Sequence, residues 1–433
     1  MARPLLPSVI RRLYDAFGHY VAGLAVRGIE VVGKLGLYVL AAAVLGAHGA
    51  GLYFLCITWV GLASTIARMG LERAITRHVA AELAVGDGRA ARDALLAGFL
   101  WTTVGGAAAA ALTWLVADPA ARLLFREPDL GGPLAIAALV LVPQTTMVVA
   151  AHALTGLKQG VASLFVQSSL WPVLTLGALV AGADSVERLL LAMAGAMTLC
   201  TAIGLVLLAR GRALFRTQPD AGAPPGERLP GLWRTALPLG VVEMVQVSLG
   251  SIPVLVLGMF AEAADVGAFS VANRISLLIW VVIISIGTVA APTFAELHRR
   301  GEQAALRAAN RRVRLVTVAA GLPVIAAMLL LPETLLRLIG AGFDSAAPAL
   351  VVLAVGQLVN CLLASQDVVL AMTGHGRWLR LLNLMQLAVC IVLAAVLIPP
   401  FGMMGAAVLT AICIAQGAIG TTLAVQRLMP YAL

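Results

Sequence analysis

Long apolar runs of about 20 to 25 residues recur along the chain and limit its fold more than any other feature. A helix rises about 1.5 Å per residue, so such a run crosses the hydrocarbon core of a bilayer. Only 12% of the residues are charged, too few to cover a soluble protein of this size. Aromatic residues are only 5%, and the runs lack the alternation of barrel strands. We therefore predict an all-α polytopic membrane protein.

The apolar runs predict 12 transmembrane helices. The predicted spans are 21–45, 50–72, 94–117, 133–155, 162–183, 188–209, 235–259, 266–292, 313–332, 346–372, 378–399 and 404–425. Of the Lys and Arg residues, three lie deep within spans and four face one side of the membrane, namely Arg122, Arg126, Arg188 and Arg337. The others face the opposite side, and by the positive-inside rule that side and both termini are cytoplasmic.

This topology accounts for most of the net charge of +9, so no nucleic-acid partner is predicted. The composition, with few Lys and many Ala, Gly and Arg residues, is typical of a GC-rich bacterial genome. We expect a multi-pass protein of the bacterial cytoplasmic (inner) membrane.

The longest loop, 210–234, is rich in Pro, Gly and Arg and reads as a flexible cytoplasmic linker. It separates an N-terminal six-helix lobe (1–209) from a C-terminal six-helix lobe (235–433). Duplicated helical halves are common in secondary transporters, with the substrate path between them, so we predict two lobes around a central cavity. The seventh span contains Pro238 and Pro253, which makes it the best candidate for a moving helix.

Charged residues inside the spans are costly in lipid and indicate functional positions. Arg27, Glu30 and Lys34 are spaced i, i+3, i+7 and share one helix face. Arg274 lies within the eighth span. Glu30 has a second interpretation, as an ion-pair partner of Arg27 or Lys34.

Other polar side chains also form faces within spans. Gln357, Asn360 and Asp367 share one face of the tenth span, and Asn383 and Gln386 share one in the eleventh. The seventh span pairs Glu243 with Gln246. Such faces must point to a neighbouring helix or to a water-filled cavity. We select Glu243, Asp367 and Glu30 as candidates for coupling to H⁺ or Na⁺.

Enzymatic motifs are not recognisable in the sequence. GIEVVGK, residues 28–34, matches the start of a phosphate-binding loop, but it lies within a span and is followed by Leu35 instead of Ser or Thr. The five cysteines all fall in predicted spans and none forms a CxxC pair, so no metal site or disulfide is expected. We predict a transporter without a resident cofactor.

Two segments carry a family resemblance. LGAHGAGLYFLCITWVGLASTIARMGLERAITRHVAAE, residues 45–82, resembles the first repeat of the bacterial polysaccharide-exporting flippases. These belong to the superfamily that includes multidrug and toxin extrusion transporters and peptidoglycan lipid flippases. IPPFGMMGAA, residues 398–407, is similar to the family pattern IPxxGxxGAA near the C-terminus.

The resemblance implies a flippase that moves a polyprenyl-pyrophosphate-linked oligosaccharide across the membrane by alternating access. The exported polysaccharide would be O-antigen (lipopolysaccharide), capsule or exopolysaccharide. The resemblance also implies two kinds of partner: membrane lipid and the polysaccharide polymerase machinery. VANRISL, residues 271–277, resembles the place where peptidoglycan lipid flippases keep a cavity arginine, which implies that role for Arg274.

The predicted substrate site combines cations for pyrophosphate with amides for sugar hydroxyls. Its members are Arg274, Arg27, Lys34, Asn273, Gln357, Asn360, Asn383 and Gln386. The roles of Arg27 and Lys34 rest on helical spacing alone.

Two other functions remain open. A cation-coupled multidrug or metabolite antiporter would share the fold, but would favour an acidic, aromatic-lined cavity. A membrane-embedded polymerase or glycosyltransferase would act on the same lipid-linked sugars, yet such enzymes usually carry large outer loops. The longest predicted outer loop, near residues 118–132, is short.

Overall fold

A computed structural model describes residues 6–211 and 230–432, which form helices and turns and contain no strand. Within these ranges, ten helical segments are long and apolar enough to cross a membrane. The predicted class, an all-α multi-pass membrane protein, is confirmed. The count of twelve spans and the cytoplasmic termini stay predictions. Most of the predicted linker lies outside the described residues.

The helices follow one another with short connections. They are α1 (Leu6–Arg68), α2 (Leu71–Ala84), α3 (Gly88–Pro119), α4 (Gly131–Gly156), α5 (Gly160–Leu164), α6 (Leu170–Val180), α7 (Val186–Arg210), α8 (Leu232–Phe260), α9 (Ala263–Ser276), α10 (Leu278–Arg300), α11 (Gln303–Leu330), α12 (Pro332–Arg337), α13 (Ala347–Leu362), α14 (Gln366–Met372) and α15 (Gly376–Leu428). π-Helical turns at Ala120–Leu124 and Phe165–Ser169 adjoin α3 and α6.

Two helices are much longer than a membrane is thick, and each contains a kink at a glycine. In α1 the kink is at Gly46, with φ 69° and ψ 177°. In α15 it is at Gly402, with φ 50° and ψ −126°. Positive φ is accessible to glycine without steric cost. Each kink falls between two predicted spans, so α1 and α15 each cover the positions of two.

Two predicted spans are interrupted in the structure. The span predicted at 266–292 divides between α9 and α10 at Leu277. The span predicted at 346–372 ends as α13 and resumes as α14, with Ser365 between them at φ 73°. The Ser365 hydroxyl donates to Asn310 Oδ1 at 2.8 Å. This buried hydrogen bond holds a backbone conformation that non-glycine residues rarely adopt.

The chain divides into two compact units by its contacts. The first comprises Met1–Leu40, Val60–Asp118 and Gly131–Met244. Within it, α4 packs along α7 and against α2, and α6 packs against α7. Small residues permit close approach: a Cβ at Gly204 of α7 would lie 3.0 Å from the Cβ of Ala150 in α4.

The second unit comprises Ala41–Trp59, Pro119–Leu130 and Val245–Leu433. Within it, α13 packs against α15, α11 and α9, and α10 packs against α11. One core of this unit contains Phe294 of α10, Leu306 of α11, Val369 of α14 and Val425 of α15. The two predicted six-helix lobes, 1–209 and 235–433, were defined by the order of the spans, whereas these units are defined by contacts. The lobes therefore stay a prediction.

Candidate substrate-binding site

A polar pocket of about 490 Å³ opens within the second unit. Helices α8, α9, α13, α14 and both halves of α15 contribute to its wall. Six of the predicted site residues line it: Asn273, Arg274, Asn360, Asp367, Asn383 and Gln386. With Gln246, which also lines it, the pocket therefore gathers one guanidinium, one carboxylate and five amides from residues that are far apart in the sequence.

Arg274 lies in the last turn of α9, directly before the break at Leu277. Its Cζ atom lies 4.6 Å from the centroid of the Phe54 ring, a cation–π contact. Phe54 is fully buried, so the ring is a fixed surface beneath the guanidinium. The Ser276 hydroxyl donates to the Asn273 carbonyl at 2.8 Å, which satisfies a backbone group where α9 ends.

The amide side chains differ in their surroundings. Gln386 donates from Nε2 to the Cys413 carbonyl at 2.7 Å, which fixes its orientation between the two halves of α15. Asn360 donates to Gln357 Oε1 at 3.4 Å. Gln357 itself is only 1% exposed and does not line the pocket; it contacts Asn360, which does.

Asp367 lies in the first turn of α14, two residues after the strained Ser365. Its side chain lines the pocket together with Ser365 and Thr421. Interrupted transmembrane helices commonly form ion or substrate sites, because the unwound backbone offers polar groups inside the membrane.

Sequence reasoning missed part of the wall. Thr58, Ser365 and Thr421 line the pocket but were not selected. Single hydroxyl residues in apolar runs carry little signal, because they usually bond to a carbonyl of their own helix. Thr421 does so with the Gly417 carbonyl at 2.9 Å. Gln246, which also lines the pocket, was recognised only as a neighbour of Glu243.

The triad in α1 belongs to the first unit and does not line the polar pocket. Glu30 accepts from Arg27 and from Lys34, at 2.9 Å in each case. The Glu30 side chain is 12% exposed and that of Arg27 is 57% exposed. The triad thus carries one net positive charge, and Glu30 serves as the shared ion-pair partner.

Glu243 also lies in the first unit, in the N-terminal half of α8. It forms an ion pair with Arg73 of α2. Nearby, His78 Nε2 of α2 lies 3.3 Å from Thr235 Oγ1 of α8. Burial lowers the pKa of His78 and the adjacent charge of Arg77 lowers it further, which favours the neutral imidazole.

An apolar groove of about 670 Å³ runs between the two halves of α15. Its wall includes Trp378, Met385, Ile412, Ile419 and Leu423, with Arg427 at one end. Three residues line both the groove and the polar pocket: Leu382, Gln386 and Gly417. The two cavities are therefore neighbours across a wall formed by these residues.

One group of side chains has metal-binding geometry. Ligand atoms of His48, Glu127 and Asp129 lie within 4.8 Å of one another in the second unit. The His48 and Asp129 side chains are 51% and 75% exposed. Exposed acidic groups are common without a bound ion, and we assign no ligand to this cluster.

Comparisons with known proteins support a transporter fold. The fold is similar to that of a multidrug resistance MATE family transporter of the MOP superfamily in an inward-facing conformation, with TM-score 0.69, 15% identity and coverage of 94% of this chain and 97% of that one. It is also similar to the lipid II flippase MurJ in an inward closed conformation, with TM-score 0.75, 12% identity and coverage of 94% and 87%. A MATE transporter in the bent conformation is similar too, with TM-score 0.60, 15% identity and coverage of 94% and 93%. At these identities, the likeness shows the fold alone.

No curated protein matches the chain. A family model described as polysaccharide biosynthesis protein matches residues 16–298, well over half of the sequence. The chain therefore belongs to the polysaccharide biosynthesis protein family and has the fold of the MOP-superfamily transporters.

Proposed function

We propose that this protein is a flippase that moves a polyprenyl-pyrophosphate-linked oligosaccharide across the bacterial cytoplasmic membrane by alternating access. The transported repeat unit would serve the export of a surface polysaccharide, with the polymerase machinery as the next partner. Membership of the polysaccharide biosynthesis protein family supports this cargo.

The observation that carries the proposal is the adjacency of a polar pocket and an apolar groove. They share Leu382, Gln386 and Gly417 in their walls. A soluble metabolite would use only the pocket. An amphiphile with a compact polar headgroup and a long hydrocarbon chain matches both cavities.

The headgroup would occupy the polar pocket. A dehydrated pyrophosphate needs a fixed cation, and the guanidinium of Arg274 donates along two parallel directions that match phosphate oxygens. The amides of Asn273, Asn360, Asn383 and Gln386 offer donors and acceptors for sugar hydroxyls. Arg27 and Lys34 would add positive charge within the first unit, reduced by Glu30.

The isoprenoid chain would lie in the apolar groove. From Ile412 to Leu428 the groove follows α15 over about 24 Å at the helical rise, most of the hydrocarbon thickness of a bilayer. Arg427 at its end suits the membrane surface, where long cationic side chains reach the lipid headgroups.

Coupling to H⁺ or Na⁺ would use Asp367. Among the three predicted coupling residues, only Asp367 lines the pocket. Glu30 and Glu243 are engaged in ion pairs with Lys34 and Arg73. Binding of a cation at Asp367 would change the charge beside the headgroup and favour one orientation of the transporter over another.

A second candidate is a cation-coupled multidrug antiporter, favoured by the likeness to a multidrug resistance MATE transporter. A cationic drug would occupy the polar pocket, with the carboxylate of Asp367 as its counter-charge. The guanidinium of Arg274 lines the same pocket and disfavours such a cation, because like charges repel at close range.

The deciding experiment uses a strain from which the gene is deleted. Its lipids are extracted, and polyprenyl-pyrophosphate oligosaccharides are quantified by mass spectrometry beside the surface polysaccharide. Accumulated lipid-linked repeat units and a lost surface polymer, restored by the wild-type gene but not by Arg274→Ala, are the expected result. Unchanged lipids with new sensitivity to cationic drugs would instead favour the antiporter.

A further inference from the structure

Four charged side chains meet between the end of α1, the start of α2 and the N-terminal half of α8, all within the first unit. We call Arg68, Glu72, Arg73 and Glu243 the charge cluster. Arg68 Nε lies 3.5 Å from Glu72 Oε2, and Arg73 pairs with Glu243. His152 of α4 is close enough to experience the charges of Arg68, Arg73 and Glu243. The two acids balance the two arginines.

The two ion pairs of the charge cluster differ in exposure. The side chains of Arg68 and Glu72 are 7% and 3% exposed, and they are four residues apart in sequence. The side chains of Arg73 and Glu243 are 45% and 25% exposed, and they join positions 170 residues apart. Partly exposed pairs are screened by water and separate readily. Arg73 is therefore the cation of this cluster that can exchange its partner.

The backbone beside this pair is closely packed. A Cβ added at Gly240 of α8 would overlap the backbone of Met69 and Gly70. The N-terminal half of α8 thus touches the turn between α1 and α2 through main-chain atoms, and in its first turns Leu232 and Ala236 pack against Leu71 of α2. Gly70 has φ 81°, so this turn needs a glycine.

We propose that Arg73 is an access site for the diphosphate headgroup of the lipid cargo, and that Glu243 occupies its guanidinium as a built-in substitute when no cargo is bound. A carboxylate and a phosphate present similar oxygen pairs to an arginine fork, so each can replace the other. When Glu243 is displaced, Arg73 keeps an uncompensated charge, whereas Glu72 still balances Arg68. This inference rests on the proposed function for the identity of the cargo.

Displacement would also act on the helix predicted to move. α8 carries Glu243 and, one turn later, Gln246, which lines the polar pocket. A headgroup that takes Arg73 from Glu243 therefore removes one tie between α2 and α8, while the apolar packing of Ala236 against α2 remains. The ion pair thereby links the arrival of cargo to a change in this helix.

The test titrates the purified full-length protein in lipid nanodiscs with inorganic pyrophosphate. All variants carry Arg274→Ala, so that Arg274 of the polar pocket does not contribute to pyrophosphate binding. Glu243→Gln is expected to bind about twofold to fivefold more tightly, because a partly screened competitor has been removed. Arg73→Gln is expected to bind at least about tenfold more weakly.

The opposite signs are the diagnostic result, since both substitutions break the same ion pair. Equal weakening by both, or no pyrophosphate binding in the Arg274→Ala protein, would overturn the inference. Glu333→Gln is the matched control, because it breaks the exposed Arg337–Glu333 pair and should leave affinity unchanged. If Arg73→Gln does not fold, Arg73→Lys keeps the charge without the fork and should still bind more weakly.

A second titration, with farnesyl pyrophosphate, distinguishes a lipid-borne diphosphate from a free one. Tighter binding of farnesyl pyrophosphate than of inorganic pyrophosphate supports a lipid headgroup as the ligand. Equal or weaker binding overturns the lipid headgroup in favour of a soluble diphosphate. The lipid analysis of the deletion strain tests the proposed function separately. The two substitutions, Glu243→Gln and Arg73→Gln, could have opposite effects on pyrophosphate affinity while the lipids of the deletion strain are unchanged. Arg73 would then still be a diphosphate site, but in a transporter of another cargo.

Discussion

The guanidinium of Arg274 stacks over the ring of Phe54, with its Cζ atom 4.6 Å from the ring centroid. Phe54 belongs to α1 and Arg274 to α9, so the contact joins distant parts of the sequence within the second unit. The face of an aromatic ring attracts a cation without adding a negative charge. Stacking therefore helps to orient Arg274 at the pocket.

Replacing Phe54 should weaken the binding of anions at Arg274. A cation–π contact contributes about 0.5–1 kcal/mol or more, so Phe54→Leu should raise the Kd for inorganic pyrophosphate by at least about twofold to fivefold. Phe54→Tyr keeps a ring face and should retain wild-type affinity. Calorimetric titration measures both variants, and thermal unfolding identifies any loss of packing. Equal affinities in the Leu and Tyr variants would contradict the orienting role of the ring.

Transport should depend on the shape of the Arg274 side chain as well as on its charge. Arg274→Lys retains a cation but loses the planar fork that binds phosphate oxygens in pairs. We expect partial restoration of surface polysaccharide in the deletion strain, between the levels given by the wild type and by Arg274→Ala. Membrane levels of each variant must be measured in parallel by immunoblotting. Full restoration by Arg274→Ala would show that the guanidinium is dispensable for transport.

Asp367 should control any dependence of transport on an ion gradient. Asp367→Asn keeps the size of the side chain and removes the charge that would bind H⁺ or Na⁺. In proteoliposomes, this variant should flip cargo at the same rate with or without an imposed gradient, whereas the wild type should be accelerated. Glu30→Gln is the comparison, since Glu30 lies outside the polar pocket. A wild type that ignores both proton and sodium gradients would contradict coupling.

The sequence predicts the membrane class and most span positions because apolar run length is a local property. Glu30 was correctly anticipated as a possible partner of Arg27 and Lys34, because spacing alone places them on one helix face. The ion pair of Glu243 with Arg73 and the stacking of Arg274 on Phe54 depend on helix packing, which local patterns do not encode. The break at Ser365 is also nonlocal, since Asn310 of another helix stabilises it.

The wall between the polar pocket and the apolar groove provides the sharpest test of an amphiphilic cargo. A Cβ at Gly417 would lie 3.1 Å from Gln386 Nε2, so Gly417→Leu should fill the boundary between the two cavities. We expect flipping of the lipid-linked cargo to be lost, while pyrophosphate affinity stays within about twofold of wild type because the cation is unchanged. Gly195→Leu is the matched control, since Gly195 is exposed on α7 and a Cβ there has no neighbour within 4 Å. Wild-type flipping by Gly417→Leu would show that the isoprenoid chain takes another route. Loss of both flipping and pyrophosphate binding would indicate misfolding, which thermal unfolding would reveal.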